Sequence, residues 1–309
     1  MTFHSDTSIV LSDEVRHALS ERRGVVALES TIIVHGLPAP VNLDVARECE
    51  LAVRAGGSVP ATIALLNGRL CVGLSRDELE ALADPDRVVA KLSTRDLGYA
   101  MAQGFDGATT VAATIAVAHR VGVSVMATGG LGGVHRGANE SFDESADLTA
   151  LSRTPVLVVA SGAKSILDVG ATLERLDTLG VPVWGYRTKK FPGFYLADSG
   201  FVVDWSIDSP VGAARAFRAH QSVSATGVLV AQPVSRERQL DPTLHDSSLE
   251  WALAAVAARG VTGKEVTPVL LDEFARHSAG ASVQVNRDLV VANARLAGEI
   301  AQAFASGAA

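Results

Sequence analysis

The stretch Val156-Leu-Val-Val-Ala-Ser-Gly-Ala-Lys-Ser-Ile-Leu-Asp168 constrains the fold most tightly. Four or five apolar, mainly β-branched residues run into Ser161-Gly162, and a helical apolar spacing follows at Ile166, Leu167, Val169, Leu173 and Leu176. An apolar run without polar alternation, closed by glycine and followed by a helical pattern, reads as a buried parallel strand, a tight turn and a helix start. In such units ligands sit beyond the carboxyl ends of the strands, near free helical N–H groups. Lys164 would then lie in the first helical turn, where the macrodipole disfavours a cation. A lysine held against the dipole suits a neutral amine that forms Schiff bases. The alternative is a lysine that reaches solvent or pairs with Asp168, and the stretch alone leaves both open.

Similar units recur along the chain. Asp13–Glu21 reads as a short helix and Gly24–Ser30 as a buried strand; a helix over Asn42–Ala55 stops at Gly56-Gly57. Val59–Leu66 and Arg69–Gly73 flank Asn67-Gly68, the signal of a type I′ hairpin turn. Ser75 and Glu78 form a capping box before the Leu79–Leu82 helix. Further strands are expected at Val88–Ser93, Ser124–Thr128 and Gly227–Pro233, the last taken as the last inner one. Helices are expected to open over Gly107–Thr114 and at about Ser145, and to cover Leu249–Ala258, Thr267–His277 and Ser282–Ala305. With 48% hydrophobic residues over 309 positions and no break in pattern, one α/β domain after a polar arm (about residues 1–12) is expected.

Several function classes fall away. A net charge of −7 without any Lys/Arg run argues against nucleic acid or a membrane surface as the main partner. Cys49 and Cys71 suggest no disulfide framework and read as core thiols of a reducing compartment. The N-terminal residues lack the basic start and apolar core of a signal peptide, and Val111–Ala118 is too short to span a bilayer, so a cytoplasmic protein is expected.

Candidate site residues gather at strand ends and in one loop. Glu29 closes an apolar strand, where a carboxylate is either capped by N–H groups or placed for chemistry. Lys91 and Arg95 are the nearest thing to an anion site, and the small residues of Gly107–Thr114 would allow close approach of a phosphate or of another helix. Gly129-Gly-Leu-Gly-Gly-Val-His135-Arg136-Gly137 fits no nucleotide fingerprint. It runs into Glu140, Asp143, Glu144 and Asp147, four carboxylates in eight residues. The Asp143-x-x-x-Asp147 spacing could hold a hard divalent cation or cap a helix; a long glycine-rich loop tips the reading towards a site. Tyr186–Tyr195 reads as a basic-aromatic surface loop, and His277 as a solvated residue at a helix end.

In combination these stretches resemble one family. Leu28-Glu-Ser-Thr-Ile-Ile33 with His35-Gly36, Val59-Pro-Ala-Thr-Ile-Ala64, and Gly107-Ala-Thr-Thr-Val-Ala-Ala-Thr114 carry the first half of the likeness. Ala127 to Gly137, Phe142-Asp-Glu-Ser-Ala-Asp-Leu148 and Gly162-Ala-Lys-Ser-Ile-Leu-Asp168 carry the second. The chain is similar to the pseudouridine-5′-phosphate glycosidases, also called indigoidine-synthase-A-like, from about Val25 to Ala305. The resemblance implies a three-layer α/β/α fold with a central, mostly parallel sheet, and a homotrimer. It implies reversible, manganese-dependent conversion of pseudouridine 5′-phosphate and water into uracil and ribose 5-phosphate. By position Lys164 matches the Schiff-base lysine, Glu29 the proton donor and Asp143 the ligand of one Mn2+ per subunit. Lys91, Val111, Ser145, Ala146, Asp147 and Asn286 match substrate-binding positions.

The residue types suit that chemistry. A C–C glycosidic bond has no heteroatom leaving group to protonate, so the two-carboxylate scheme of ordinary glycosidases is poorly suited. An amine that adds at C1′ and opens the ribose gives an adduct whose breakdown leaves an imine, with Glu29 moving protons. Two departures stand out: Gln232-Pro-Val-Ser235 replaces the family's usual Asn-Pro-Ile-Pro, and Arg287-Asp288 stand beside Asn286 in place of apolar residues. Two rival readings remain. One is a lysine-imine enzyme of a C-nucleoside or indigoidine pathway acting on another sugar phosphate; the other is a sugar-phosphate binding protein without catalysis.

Overall fold

A computed structural model describes residues 8–261 and 266–307, so the first seven residues of the polar arm lie outside it. The strands are β1 (Ile9–Leu11), β2 (Val25–Glu29), β3 (Val59–Leu66), β4 (Arg69–Val72), β5 (Ala90–Leu92), β6 (Gly107–Thr109), β7 (Val125–Ala127), β8 (Leu157–Ala160), β9 (Val183–Tyr186), β10 (Trp205–Ile207) and β11 (Val228–Ala231). The helices of the first half are α1 (Asp13–Ser20), α2 (Val41–Ala55), α3 (Arg76–Ala83), α4 (Thr94–Ala102), α5 (Val111–Arg120), α6 (Ala138–Ser141) and α7 (Ala146–Leu151). The second half carries α8 (Val169–Thr178), α9 (Pro210–Gln221), α10 (Pro242–Arg259), α11 (Val266–His277) and α12 (Ala281–Ala305). A π-helical turn, Ile32–Gly36, follows β2.

The strands join in one sheet of order β1-β4-β3-β2-β7-β8-β11-β9-β10, with β6 beside β3 and β5 beside β6. Pairing is parallel throughout except where β3 meets β4 and β6. The sheet is therefore mostly parallel, as the resemblance implied. Its inner strands are buried on both sides, and their two-residue period divides the core. Val26, Leu28, Val125, Ala127, Val159 and Val230 pack with residues of α2, α9 and α12 on one face. Val25, Ala27, Met126, Val158, Ala160 and Leu229 pack with residues of α1, α5, α7 and α8 on the other. Two helical layers thus enclose the sheet. Among the described residues no helix is long and apolar enough to cross a membrane.

Most expected elements are present. The Asn67-Gly68 hairpin has both turn residues at positive φ, and the Ser75–Glu78 capping box is formed. Cys49 is buried and Cys71 half-buried, neither in a disulfide. Three expectations need correction. Gly107–Thr109 is a strand, and the helix expected there opens only at Val111, because Thr110 caps it by accepting a hydrogen bond from Ala113 N. The loop expected on the surface after Tyr186 turns inward, with Phe191, Phe194 and Tyr195 buried. His277 is exposed but not merely solvated: Nδ1 lies 2.9 Å from Ser248 Oγ and the ring stacks on Trp251. The arm ends in β1, which pairs with β4 at one edge of the sheet.

Candidate active site

The carboxyl ends of β2, β7 and β8 converge, and each delivers one functional group. Glu29, the last residue of β2, is buried, and Thr128, just beyond β7, donates its hydroxyl to Glu29 Oε1. Burial pushes the Glu29 carboxyl above the ordinary glutamate range; the ammonium of Lys164, the Thr128 hydroxyl and Lys91 pull the other way. Of the two roles open for a strand-end carboxylate, the surroundings fit chemistry better than capping. A carboxyl raised by burial holds its proton to higher pH than an exposed glutamate does, the direction a proton donor needs.

Lys164 follows β8, but not in the way its sequence suggests. Helix α8 begins at Val169, with Asp168 as its cap accepting from Ala171 N at 2.9 Å. Lys164, Ile166 and Leu167 therefore lie in a loop, and the macrodipole argument does not apply to this lysine. Asp168 is committed to the cap. The loop is held by the glycine-rich segment instead: Lys164 N donates to Leu131 O at 3.1 Å and Leu131 N to Gly162 O at 2.9 Å. Gly162 has φ +74°, and a Cβ there would fall 2.2 Å from Pro192 O, so the turn into this loop requires glycine. At Gly130 a Cβ would strike the Phe194 ring at 2.6 Å and approach Lys164 Cγ at 3.3 Å. The missing side chain lets the aromatic ring and the lysine share this corner.

Two lobes meet at Glu29, Thr31, Lys91, Lys164 and Thr267. A cleft of about 310 Å³ carries Arg95, Val111, His135, Asp143, Ser145, Ala146 and Asp147. A narrower lobe carries Ile32, Gly129, Phe194, Pro268, Leu271 and Asn286. All nine residues singled out by resemblance thus line one continuous space: eight in the cleft, and Asn286 in the narrow lobe.

The carboxylates of the cleft differ in occupation. Asp147 is buried, and its two oxygens accept from Ala112 N (2.9 Å) and Gly132 N (3.0 Å). It ties the start of α5 to the glycine-rich loop, so the Asp143/Asp147 pair is not a bidentate cation site. Glu144 is bonded by Arg175 at 2.8 Å. Asp143 faces the cleft with its side chain about a third exposed, 4.0 Å from His135 Nδ1. Burial pushes the His135 imidazole towards its neutral form, a tendency Asp143 opposes. Among the described residues no group of three His, Cys, Asp or Glu is placed to hold a metal ion. One carboxylate and a neutral imidazole still fit a hard cation completed by water and substrate oxygens.

Comparisons with known proteins agree with this arrangement. The family described as Indigoidine synthase A like protein matches residues 14–303. The chain belongs to that family. Among relatives of this indigoidine synthase A-like chain, a pseudouridine-5′-phosphate glycosidase of Salinispora tropica is 57% identical over 99% of this chain and 93% of its own. One of Streptomyces griseus is 55% identical over 96% and 92%. Among solved structures, the prealnumycin C-glycosynthase AlnA in complex with ribulose 5-phosphate is 40% identical, with a TM-score of 0.90 over 98% of this chain and 99% of its own. An indigoidine synthase A-like protein of Thermotoga maritima is 34% identical, with a TM-score of 0.88 over 99% of both chains.

Sequence reasoning did not find every wall of this family member's site. Thr128 had a faint signal, a hydroxyl closing a buried strand before the glycine run. Phe194 had none, because nothing local shows that its loop folds inward. Neither family departure reaches the lobes: Arg287 donates to Glu48 of α2 (Nε, 2.9 Å) and Asp288 meets Arg238 at 3.2 Å. Gln232 and Ser235 line a separate cavity.

Proposed function

We infer that the chain is a pseudouridine-5′-phosphate glycosidase, which joins or cleaves uracil and ribose 5-phosphate at a C–C bond. The observation that carries the reading is Lys164 beside the buried Glu29, whose carboxyl burial raises above the ordinary range, where the cleft of Lys91 and Arg95 meets a narrow lobe. Names of relatives above 50% identity over nearly the whole chain support the same reaction.

The chemistry follows from the parts. Lys91, Arg95 and the start of α5 suit the phosphate and sugar oxygens. The amine of Lys164 adds at C1′; the C1′–O4′ bond breaks and O4′ takes the proton the amine gives up. Glu29 gives its proton to uracil C5, which becomes tetrahedral while N1 shares the positive charge left at C6. The C1′–C5 bond then breaks, its electron pair restoring the C5–C6 double bond of uracil while the nitrogen lone pair forms the imine, which water hydrolyses to ribose 5-phosphate and free Lys164. The narrow lobe suits a planar base, with Phe194 as an aromatic wall and Asn286 as a hydrogen-bonding amide. Asp143, with neutral His135, would hold Mn2+, which would supply charge stabilisation to substrate oxygens. The homotrimer rests on the family resemblance. A reducing, cytoplasmic setting fits two thiols without disulfides.

Borohydride treatment of the chain with ribose 5-phosphate is expected to add one reduced sugar phosphate to Lys164, seen by peptide mass. Absence of that adduct from folded protein would contradict the mechanism. The AlnA likeness favours one second reading, C-glycosylation of another acceptor; it predicts the same adduct but no use of uracil.

A further inference from the structure

The narrow lobe does not end blindly at Asn286. His35, Gly36, Pro268, Leu271 and Asn286 are shared with a further cavity of about 220 Å³ between the Ile32–Gly36 turn and α11. We propose that this cavity is a second mouth of the site, through which the free pyrimidine base comes and goes while the sugar phosphate uses the cleft of Lys91 and Arg95. The inference rests on the glycosidase reading above.

The walls of the two mouths differ in kind. The cleft carries Lys91 and Arg95. Among the described residues the second mouth has no Lys or Arg in its wall; Val34, Leu37, Pro38, Ala275 and Val283 line it beside the uncharged polar groups of Tyr195, Ser282 and Asn286. The carboxylate among the described residues of this wall, Asp272, is bonded to Arg276, and Tyr195 is hydrogen-bonded to Ser282. A phosphate would lose hydration there without gaining a cation, whereas a neutral planar base loses little. At the junction Asn286 Oδ1 is buried and finds no hydrogen-bond partner among the described residues, as expected of an acceptor reserved for a ligand N–H. Occupancy gives a second argument. Once C1′ is bonded to Lys164, the sugar phosphate lies between that lysine and Lys91, and it closes the cleft to the base. The base, left in the narrow lobe, then departs past Asn286 and Pro268.

The test places a removable plug in the second mouth. Ala275→Cys and, on the facing wall, Val283→Cys are each converted to mixed disulfides with thionitrobenzoate. The wild-type chain treated likewise controls for Cys71. Synthesis is followed with uracil and ribose 5-phosphate, and imine formation by cyanoborohydride trapping. Labelling is expected to lower kcat/KM for uracil about tenfold or more, to leave trapping of ribose 5-phosphate unchanged, and to be reversed by dithiothreitol. An unchanged kcat/KM for uracil at full labelling of both positions would overturn the proposal, as would parallel loss of trapping. An unlabelled chain that makes no product from uracil would instead sink the glycosidase reading and this inference with it.

Discussion

At the scale of single residues, Glu29 links burial to the proposed proton transfer. Its carboxyl is held above the ordinary glutamate range by desolvation, against the pull of Lys164 and Thr128. The folded chain therefore keeps this proton to higher pH than the unfolded chain does. The associated stability is fully present below the ordinary glutamate pKa and is lost as pH rises through the raised folded value. Glu29→Gln is expected to flatten that loss in thermal unfolding scans across pH, and to reduce turnover on the order of 10²- to 10⁴-fold. A variant with unchanged turnover would remove Glu29 from the chemistry. Asp147 plays a different part. With both oxygens taken by Ala112 N and Gly132 N, Asp147→Asn turns an amide N–H2 towards a backbone N–H. A destabilisation of roughly 2 kcal/mol is expected in denaturant unfolding, together with weaker binding of ribose 5-phosphate through the displaced α5 start.

At the scale of elements, what the sequence showed depended on whether the signal was local. The Asn67-Gly68 hairpin, the Ser75 cap and the buried β2 and β8 runs carry their conformation in neighbouring residues, and all are present. Helix α8 starts later than its apolar spacing suggested because the Lys164 loop bonds to Leu131, a contact 33 positions away in the chain. Strand β6 was hidden in a helix-like run of small residues, since its pairing with β3 and β5 is tertiary. Phe194 was unreadable for the same reason. Six of the nine candidate residues (Glu29, Lys91, Val111, Ser145, Ala146 and Asp147) sit at strand ends or helix starts, and Asp143 and Lys164 lie in the loops that join such elements, all within ordered motifs, which is why they were legible. The clamp on these ends was not. On α12, Asn293 is fully buried and its amide donates to Thr128 O (2.9 Å), Ser161 Oγ (3.1 Å) and Gly129 O (3.3 Å). Two turns away on the same face stands Asn286. Asn293→Ala takes this donor from Thr128 O and Ser161 Oγ, while Gly129 O keeps its bond from Ser161 N (2.8 Å), and is expected to cost about 1–3 kcal/mol of stability. It should also slow imine trapping at Lys164 while the far-ultraviolet circular dichroism stays native; trapping at the wild-type rate would deny it a positioning role.

At the scale of the whole molecule, the sheet lays three strand ends side by side and two helical layers wall them in. The result is one space with an end of mixed charge, where Lys91 and Arg95 would meet a sugar phosphate, and a more apolar narrow lobe for the proposed base. The cation proposed at Asp143 would belong to the first end, and its removal would test that proposal. Chelator treatment is expected to abolish turnover of the wild-type chain, and Mn2+ to restore it. In Asp143→Ala, added Mn2+ should restore nothing; restoration there would place the metal elsewhere. The account stands or falls on C–C bond formation at Lys164. Incubation of the chain with uracil, ribose 5-phosphate and Mn2+, followed by mass spectrometry, is predicted to give pseudouridine 5′-phosphate, and Lys164→Ala to give none. Folded, metal-loaded protein that yields neither this product nor a trapped sugar phosphate would contradict it.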